Sequence, residues 1–137
     1  MTLRSMLFVP GDSDRKMEKA ITNEADALIL DLEDSVSPDR TAVARGMVAE
    51  YLSARADRTK QQLWVRINPL DTDKAMPDLA AVMTGAPDGI VLPKTYSAKE
   101  AVALANALSA LEARDGLVIG STKILAVAME TAESLFT

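Results

Sequence analysis

Hydrophobic and polar positions along this chain follow two periods that alternate. Leu3 to Val9 is a short apolar run closed by Pro10-Gly11, the pattern of a buried strand and its turn. Asp12 or Ser13 can cap the next stretch, Asp14 to Thr22, where Met17, Ala20 and Ile21 fall at helical spacing. Ala27 to Leu32 is the second apolar run. Ser37-Pro38 then reads as an N-cap followed by proline at the first helical position, and predicts a helix to about Arg55. Leu63 to Asn68 predicts a third strand, stopped by Pro69, and Pro77 starts a short helix through Met83. Gly89 to Leu92 is the fourth strand, stopped by Pro93. Ser97 caps a long Ala/Leu-rich helix to about Arg114, with Gly116 just past its end. Lys123 to Met129 is the fifth strand, and Thr131 to Thr137 begins another helix.

Five strands alternating with helices predict βαβ units and a parallel sheet, and the runs are apolar enough to be covered on both faces. A doubly wound open sheet and a (β/α)8 (TIM) barrel both fit that order. The first strand-to-helix turn, Val9-Pro10-Gly11-Asp12-Ser13, has no G-x-G-x-x-G fingerprint, so a dinucleotide fold loses its main signal. A complete barrel takes roughly 250 residues. Five units in 137 residues keep the barrel's pace. The expectation is that residues 1–137 form the N-terminal part of a single TIM-barrel domain, with the remaining strands after Thr137.

Composition narrows the chemistry. Hydrophobic residues make up 48% and charged residues 26%, which excludes a disordered or collagenous chain. With 15 Lys+Arg against 20 Asp+Glu the net charge is -5, and no basic run is present, so neither nucleic acid nor an anionic membrane is an expected partner. Cysteine and histidine are both absent. That removes disulfides, thiolate metal sites and a cysteine nucleophile, and leaves oxygen donors and lysine for any acid, base or ligand. No apolar run approaches the roughly 20 residues of a membrane span, and the N-terminal apolar core is too short for a secretory signal. A soluble, cytoplasmic protein is the expectation.

In parallel α/β proteins the chemistry gathers at the carboxyl ends of the strands. The unusual polar residues here do the same: Asp31, Glu33 and Asp34 after strand two, Arg66 and Asn68 in strand three, Lys94 after strand four, Glu130 at the end of strand five. Period two groups Asp31 with Glu33, Arg66 with Asn68, and Glu130 with Ile124, Ala126 and Ala128. Simpler roles stand beside these. The three acids can cap the following helix or pair with Arg45, and Arg66 can be a structural partner of Glu33. Lys94 can be solvated, and Glu130 can be a helix N-terminal acid. Met6, Met17, Met47, Met76, Met83 and Met129 read as core filler, and Asp71 to Lys74 as a solvated loop. Carboxylates with one arginine and no histidine suit Mg2+ rather than zinc, and the arginine offers a fixed fork for a carboxylate or oxyanion.

Five segments carry a resemblance: Arg4-Ser5-Met6-Leu7-Phe8-Val9-Pro10-Gly11, Asp31-Leu32-Glu33-Asp34-Ser35-Val36, Val65-Arg66-Ile67-Asn68, Asp88-Gly89-Ile90-Val91-Leu92-Pro93-Lys94, and Glu130-Thr131. In this order they resemble the citrate lyase beta-subunit-like proteins, which include malyl-CoA and citramalyl-CoA lyases, within the HpcH/HpaI aldolase group. The resemblance implies a TIM barrel and a Mg2+-dependent carbon–carbon lyase acting on a 3-hydroxyacyl thioester such as citryl-, malyl- or citramalyl-CoA. The carrier would be coenzyme A or acyl carrier protein, and the second product a keto acid. It further implies that Glu130 is a metal ligand at the substrate site and that Arg66 grips the substrate's carboxylate and carbonyl end. Glu33 and Asp34 would be catalytic neighbours holding metal waters or Arg66. The family's second metal ligand is an aspartate downstream of the Glu-Thr pair. Pyruvate-type relatives carry a histidine where this chain has Asp34, which favours the thioester branch. The alternatives are a Schiff-base aldolase using Lys94, a metal-dependent 2-keto-acid aldolase, and an inactive truncated fragment. The open sheet edges at Leu3–Val9 and Lys123–Met129 predict self-association into a homo-oligomer.

Overall fold

The computed structural model describes residues 5–95 and 97–128. In chain order the elements are β1 (Met6–Pro10), α1 (Asp14–Ala20), β2 (Ala27–Asp31), α2 (Thr41–Ala54), β3 (Gln62–Arg66), α3 (Ala75–Val82), β4 (Gly89–Thr95), α4 (Ala98–Arg114) and β5 (Lys123–Ala128). Single 3-10 turns lead into α2 at Pro38–Arg40 and follow α3 at Met83–Gly85. The five strands form one parallel sheet in the order β1-β2-β3-β4-β5. An open doubly wound sheet reverses its strand order at a switch point. Strict sequence order is instead the arc of a barrel wall.

The helices cover one face of that sheet. Val9, Leu28, Leu30, Leu63, Val65, Ile90 and Leu92 point into a core shared with Met17 of α1, Val48 and Leu52 of α2, Leu79 and Val82 of α3, and Leu104 and Leu108 of α4. The other face carries a smaller cluster of Ala27, Ile29, Trp64 and Val91, with Met6 packed against it. Period two then places Asp31 and Arg66 on this second, inner face, at the carboxyl ends of β2 and β3. No helix among the described residues is long and apolar enough to cross a membrane.

Local chemistry explains the boundaries. Ser13 caps α1 by accepting from the Lys16 N–H at 3.3 Å. Pro77 is the third residue of α3 rather than the first. Its missing N–H falls among the first-turn donors that have no helical partner anyway. The fourth strand does not stop at Pro93 but runs on to Thr95, because the pairing with β5 shifts register between Leu92 and Thr95 and needs no donor from the proline. Gly11 is required where it stands: its N–H donates to the Asp31 carbonyl at 2.8 Å, and a Cβ would lie 2.6 Å from that oxygen.

Two expectations change. Ile124 packs with the helix-side core, and Ala126 pairs with Leu92 of that core, so both face the helices and not the interior. Leu125 lies opposite Val91 and so falls on the inner face with it. Met76 is 52% exposed, not core, because its position on α3 turns away from the sheet. The predicted Thr131–Thr137 helix, Met129 and the start of the first predicted strand lie outside the described residues.

Gly11→Ala tests the contact between the β1–α1 turn and the end of β2. It should destabilise the full-length protein by about 1–3 kcal/mol, the usual cost of overpacking, read as a lower urea midpoint with unchanged slope.

Candidate active site

Asp31 is the last residue of β2, and 1% of its side chain is exposed. A buried carboxylate is tolerated only when its lone pairs are filled. Here they are: Arg66 donates from Nε to Oδ1 and from Nη2 to Oδ2, both at 2.8 Å. The Glu33 N–H donates to Oδ1 at 2.9 Å, and the Ser35 N–H and hydroxyl donate to Oδ2 at 3.0 and 2.6 Å. The turn after β2 is therefore wound around one carboxylate. Burial pushes the Asp31 carboxyl up, but the hydrogen bonds from Arg66, Ser35 and the two backbone N–H groups outweigh it and bring it down to about 2.

Asp31 uses one side of the Arg66 fork and leaves Nη1 and the outer N–H of Nη2. The Phe8 ring of β1 lies under the guanidinium, 4.6 Å from its carbon to the ring centroid. Arg66 is thus fixed in position and plane, with Nη1 and one N–H of Nη2 outside the pair.

Glu33 is buried beside this pair. Its Oε1 lies 3.6 Å from Arg66 Nε and its Oε2 lies 2.8 Å from Lys94 Nζ. Both contacts are ion pairs that miss hydrogen-bond alignment. Lys94 is not simply solvated; it also approaches the exposed Asp34 at 3.5 Å. Close contact with Glu33, and then its charge, push the Lys94 ammonium up. Glu33, Asp34, Asn68, Pro69, Lys74 and Lys94 are among the residues lining an open cleft of about 370 Å³. A larger hollow of about 630 Å³, near Ile21, Arg55 and Lys60, gathers none of the strand-end residues.

The structure thus brings together Asp31, Glu33, Asp34, Arg66 and Lys94. Asn68 lines the same cleft but does not join Arg66. Its backbone and side-chain N–H groups donate to Asp78 Oδ2 at 2.9 and 2.8 Å, and Nδ2 also donates to the Leu32 carbonyl. Arg45 pairs with Asp78 at 2.7 Å, not with the acids after β2. Asp78 is fully buried and was not singled out from the sequence. Its only signal there is an acid in the first turn of a short apolar helix, which describes an ordinary N-terminal charge equally well. Glu130 lies outside the described residues.

A family model described as HpcH/HpaI aldolase/citrate lyase matches residues 4–136. The chain belongs to this family. Citrate lyase subunit beta of Escherichia coli strain K12 is 38% identical over 125 residues, which cover 91% of this chain and 41% of that protein. A (3S)-malyl-CoA thioesterase of Cereibacter sphaeroides is 39% identical over 103 residues, covering 75% of this chain and 36% of the relative. The chain therefore spans well under half the length of these curated relatives. Among solved structures, a citrate lyase beta subunit from M. tuberculosis, complexed with oxaloacetate and magnesium, superposes with a TM-score of 0.63 at 28% identity. That match covers 88% of this chain and 56% of the other. Haloferax volcanii malate synthase, in a pyruvate/acetyl-CoA ternary complex, reaches a TM-score of 0.81 at 16% identity, covering 98% and 41%, a likeness of fold alone. These neighbours are TIM barrels, and the five sequential strands form part of that wall.

Asp31→Asn should cost about 3 kcal/mol, because it leaves Arg66 without its buried counter-charge. Asp31 holds its proton less tightly folded than unfolded, where the ordinary value is 3.8. Its stabilisation is therefore complete above about pH 4 and is lost as pH falls through about 2. The stability gap between wild type and Asp31→Asn, measured by urea unfolding, should shrink across that window.

Proposed function

We propose that this chain is the N-terminal part of a Mg2+-dependent carbon–carbon lyase acting on a 3-hydroxyacyl thioester. The observation that carries the reading is Arg66, clamped by Asp31 at the carboxyl end of β3 through Nε and Nη2, with Nη1 and one N–H of Nη2 left outside that pair and Glu33 3.6 Å from Nε. Such an edge recognises a planar carboxylate in two-point fashion. The family membership and the magnesium and oxaloacetate in the M. tuberculosis relative support the same reading.

The donor chemistry fits Mg2+. Glu33 keeps two buried carboxylate oxygens outside any aligned hydrogen bond, and Mg2+ takes one or two carboxylates while retaining waters. No group of three acids among the described residues would enclose a metal alone. Glu130 would hold the ion directly, with Glu33 and Asp34 holding its waters. When bound, Mg2+ supplies Lewis-acid stabilisation of charge developing on oxygen. Arg66 orients the carboxylate end of the substrate, and Asp31 keeps Arg66 from following it. Glu33 or Asp34 takes the 3-hydroxyl proton as the C2–C3 bond breaks, giving the keto acid and the thioester enolate. The carrier is coenzyme A or acyl carrier protein, and the working enzyme is a cytoplasmic homo-oligomer. A Schiff-base route through Lys94 is disfavoured, since its ammonium is pushed up and not down.

Arg66→Lys in the whole barrel should lower kcat/KM with citryl-, malyl- or citramalyl-CoA by roughly one to three orders of magnitude, since an ammonium cannot supply the fork. Wild-type kinetics in this variant would make Arg66 structural. Glu130→Gln removes charge but little volume, and should abolish Mg2+-dependent cleavage with the fold intact by circular dichroism. Activity within a few-fold of wild type would remove Glu130 from the metal site.

A further inference from the structure

Glu33 stands between two cations. Its Oε1 is 3.6 Å from Arg66 Nε, beyond hydrogen-bond reach, while Oε2 touches Lys94 Nζ at 2.8 Å. The carboxylate is buried and neither oxygen has an aligned hydrogen bond, so the competition between the two cations decides where it points. A guanidinium with N–H donors to spare is ordinarily the stronger attractor. Lys94 wins because of where the backbone puts it. It adopts φ +53° inside β4, where the pairing with β5 slips between Leu92 and Thr95. A non-glycine residue in that region is strained, and such strain collects at functional sites. Ala86, the other described non-glycine residue at positive φ, sits in a turn that ends a 3-10 helix, where the conformation is ordinary. At Lys94 the conformation comes with the register slip and not with a helix end. A register irregularity of this kind re-aims a side chain, and here the side chain is aimed at Glu33.

We propose that Lys94 is a positioning residue: a tethered cation that occupies Glu33 and keeps the outer N–H edge of Arg66 open to a substrate carboxylate. The proposal rests on the reading of Arg66 as the substrate grip. Charge counting supports it. Asp31, Glu33 and Asp34 face Arg66 and Lys94 in the cluster. Without Lys94, three carboxylates would share one guanidinium, Glu33 would turn onto Arg66, and an incoming anion would meet occupied donors and excess negative charge.

The test uses Lys94→Met, which keeps length without charge, and Lys94→Asn, which tolerates left-handed backbone but cannot reach Glu33. Lys94→Arg is the rescue, all in the whole barrel. In ligand-free crystal structures of the first two variants, a Glu33 oxygen should close to about 3 Å from Arg66 Nη1 or Nη2, and in Lys94→Arg it should stay away. KM for the hydroxyacyl thioester should rise about tenfold or more, the scale of a lost close charge contact, with kcat changing less. Adding Glu33→Gln to Lys94→Met should bring KM back down. Glu33 remaining beyond 3.5 Å of Arg66 Nη1 and Nη2 in both variants would overturn the proposal, as would a KM rise that Glu33→Gln does not relieve. A wild-type barrel that cleaves no hydroxyacyl thioester would defeat the lyase reading, while the crystallographic distances would still decide the role of Lys94.

Discussion

The bidentate pair between Asp31 and Arg66 is the constraint on which the carboxyl-terminal rim depends. An ionised carboxylate this deep is costly unless it is neutralised and fully hydrogen-bonded. Meeting that demand recruits two N–H groups and a hydroxyl from the turn after β2, which fixes where Glu33 and Asp34 emerge. The carbonyl of the same residue accepts from Gly11, tying in the β1–α1 turn. Arg66 in turn lies over Phe8, so a single pair links the ends of β1, β2 and β3.

The same solution recurs wherever a loop must be held without a regular ladder. Buried backbone N–H groups need acceptors, and an acid supplies several at once. Asp78 takes the N–H groups of Asn68 and the charge of Arg45, and so anchors the loop between β3 and α3. Glu112 accepts from the Gly120 and Thr122 N–H groups and the Ser121 hydroxyl at the turn into β5. Burial pushes its carboxyl up, but these bonds outweigh it and leave it low. At the opposite end of the sheet from the cleft, Asp88 accepts from the Leu63 N–H and Arg58, while Arg58 also ties down the carbonyls of Leu52 and Gly85. These acids are scaffolding. What distinguishes Glu33 is that its buried oxygens face two cations, Lys94 and Arg66, and no backbone N–H group.

That contrast gives the rim its division of labour. Asp31 is saturated and immobile, which makes Arg66 a fixed donor. Glu33 is held between Lys94 and Arg66, and Asp34 is exposed at the edge of the same cluster. Under the proposed lyase reading, a fixed Arg66 beside Glu33 and Asp34 would keep the carboxylate end of the substrate still while the hydroxyl end changes charge.

The strand and helix pattern was legible in the sequence because apolar runs with Pro and Gly punctuation report burial directly, and burial is what builds β1 to β5. The gathering of Asp31, Glu33, Arg66 and Lys94 at strand ends was legible for the same reason, since charge inside an apolar run is costly enough to mean something. Pairing was not. That Arg66 binds Asp31 first and Glu33 only at a distance, that Arg45 goes to Asp78, and that Ile124 and Ala126 turn toward the helices all depend on register. A one-residue step in register exchanges the faces of a strand without altering its composition. The left-handed backbone of Lys94 was equally invisible, because a lysine after a proline looks like any strand end. By itself the sequence determined which segments are buried and which charges must find partners. Only the tertiary structure decided which partner each one has, because those choices are made between strands more than 20 residues apart, where geometry and not local preference sets the distance.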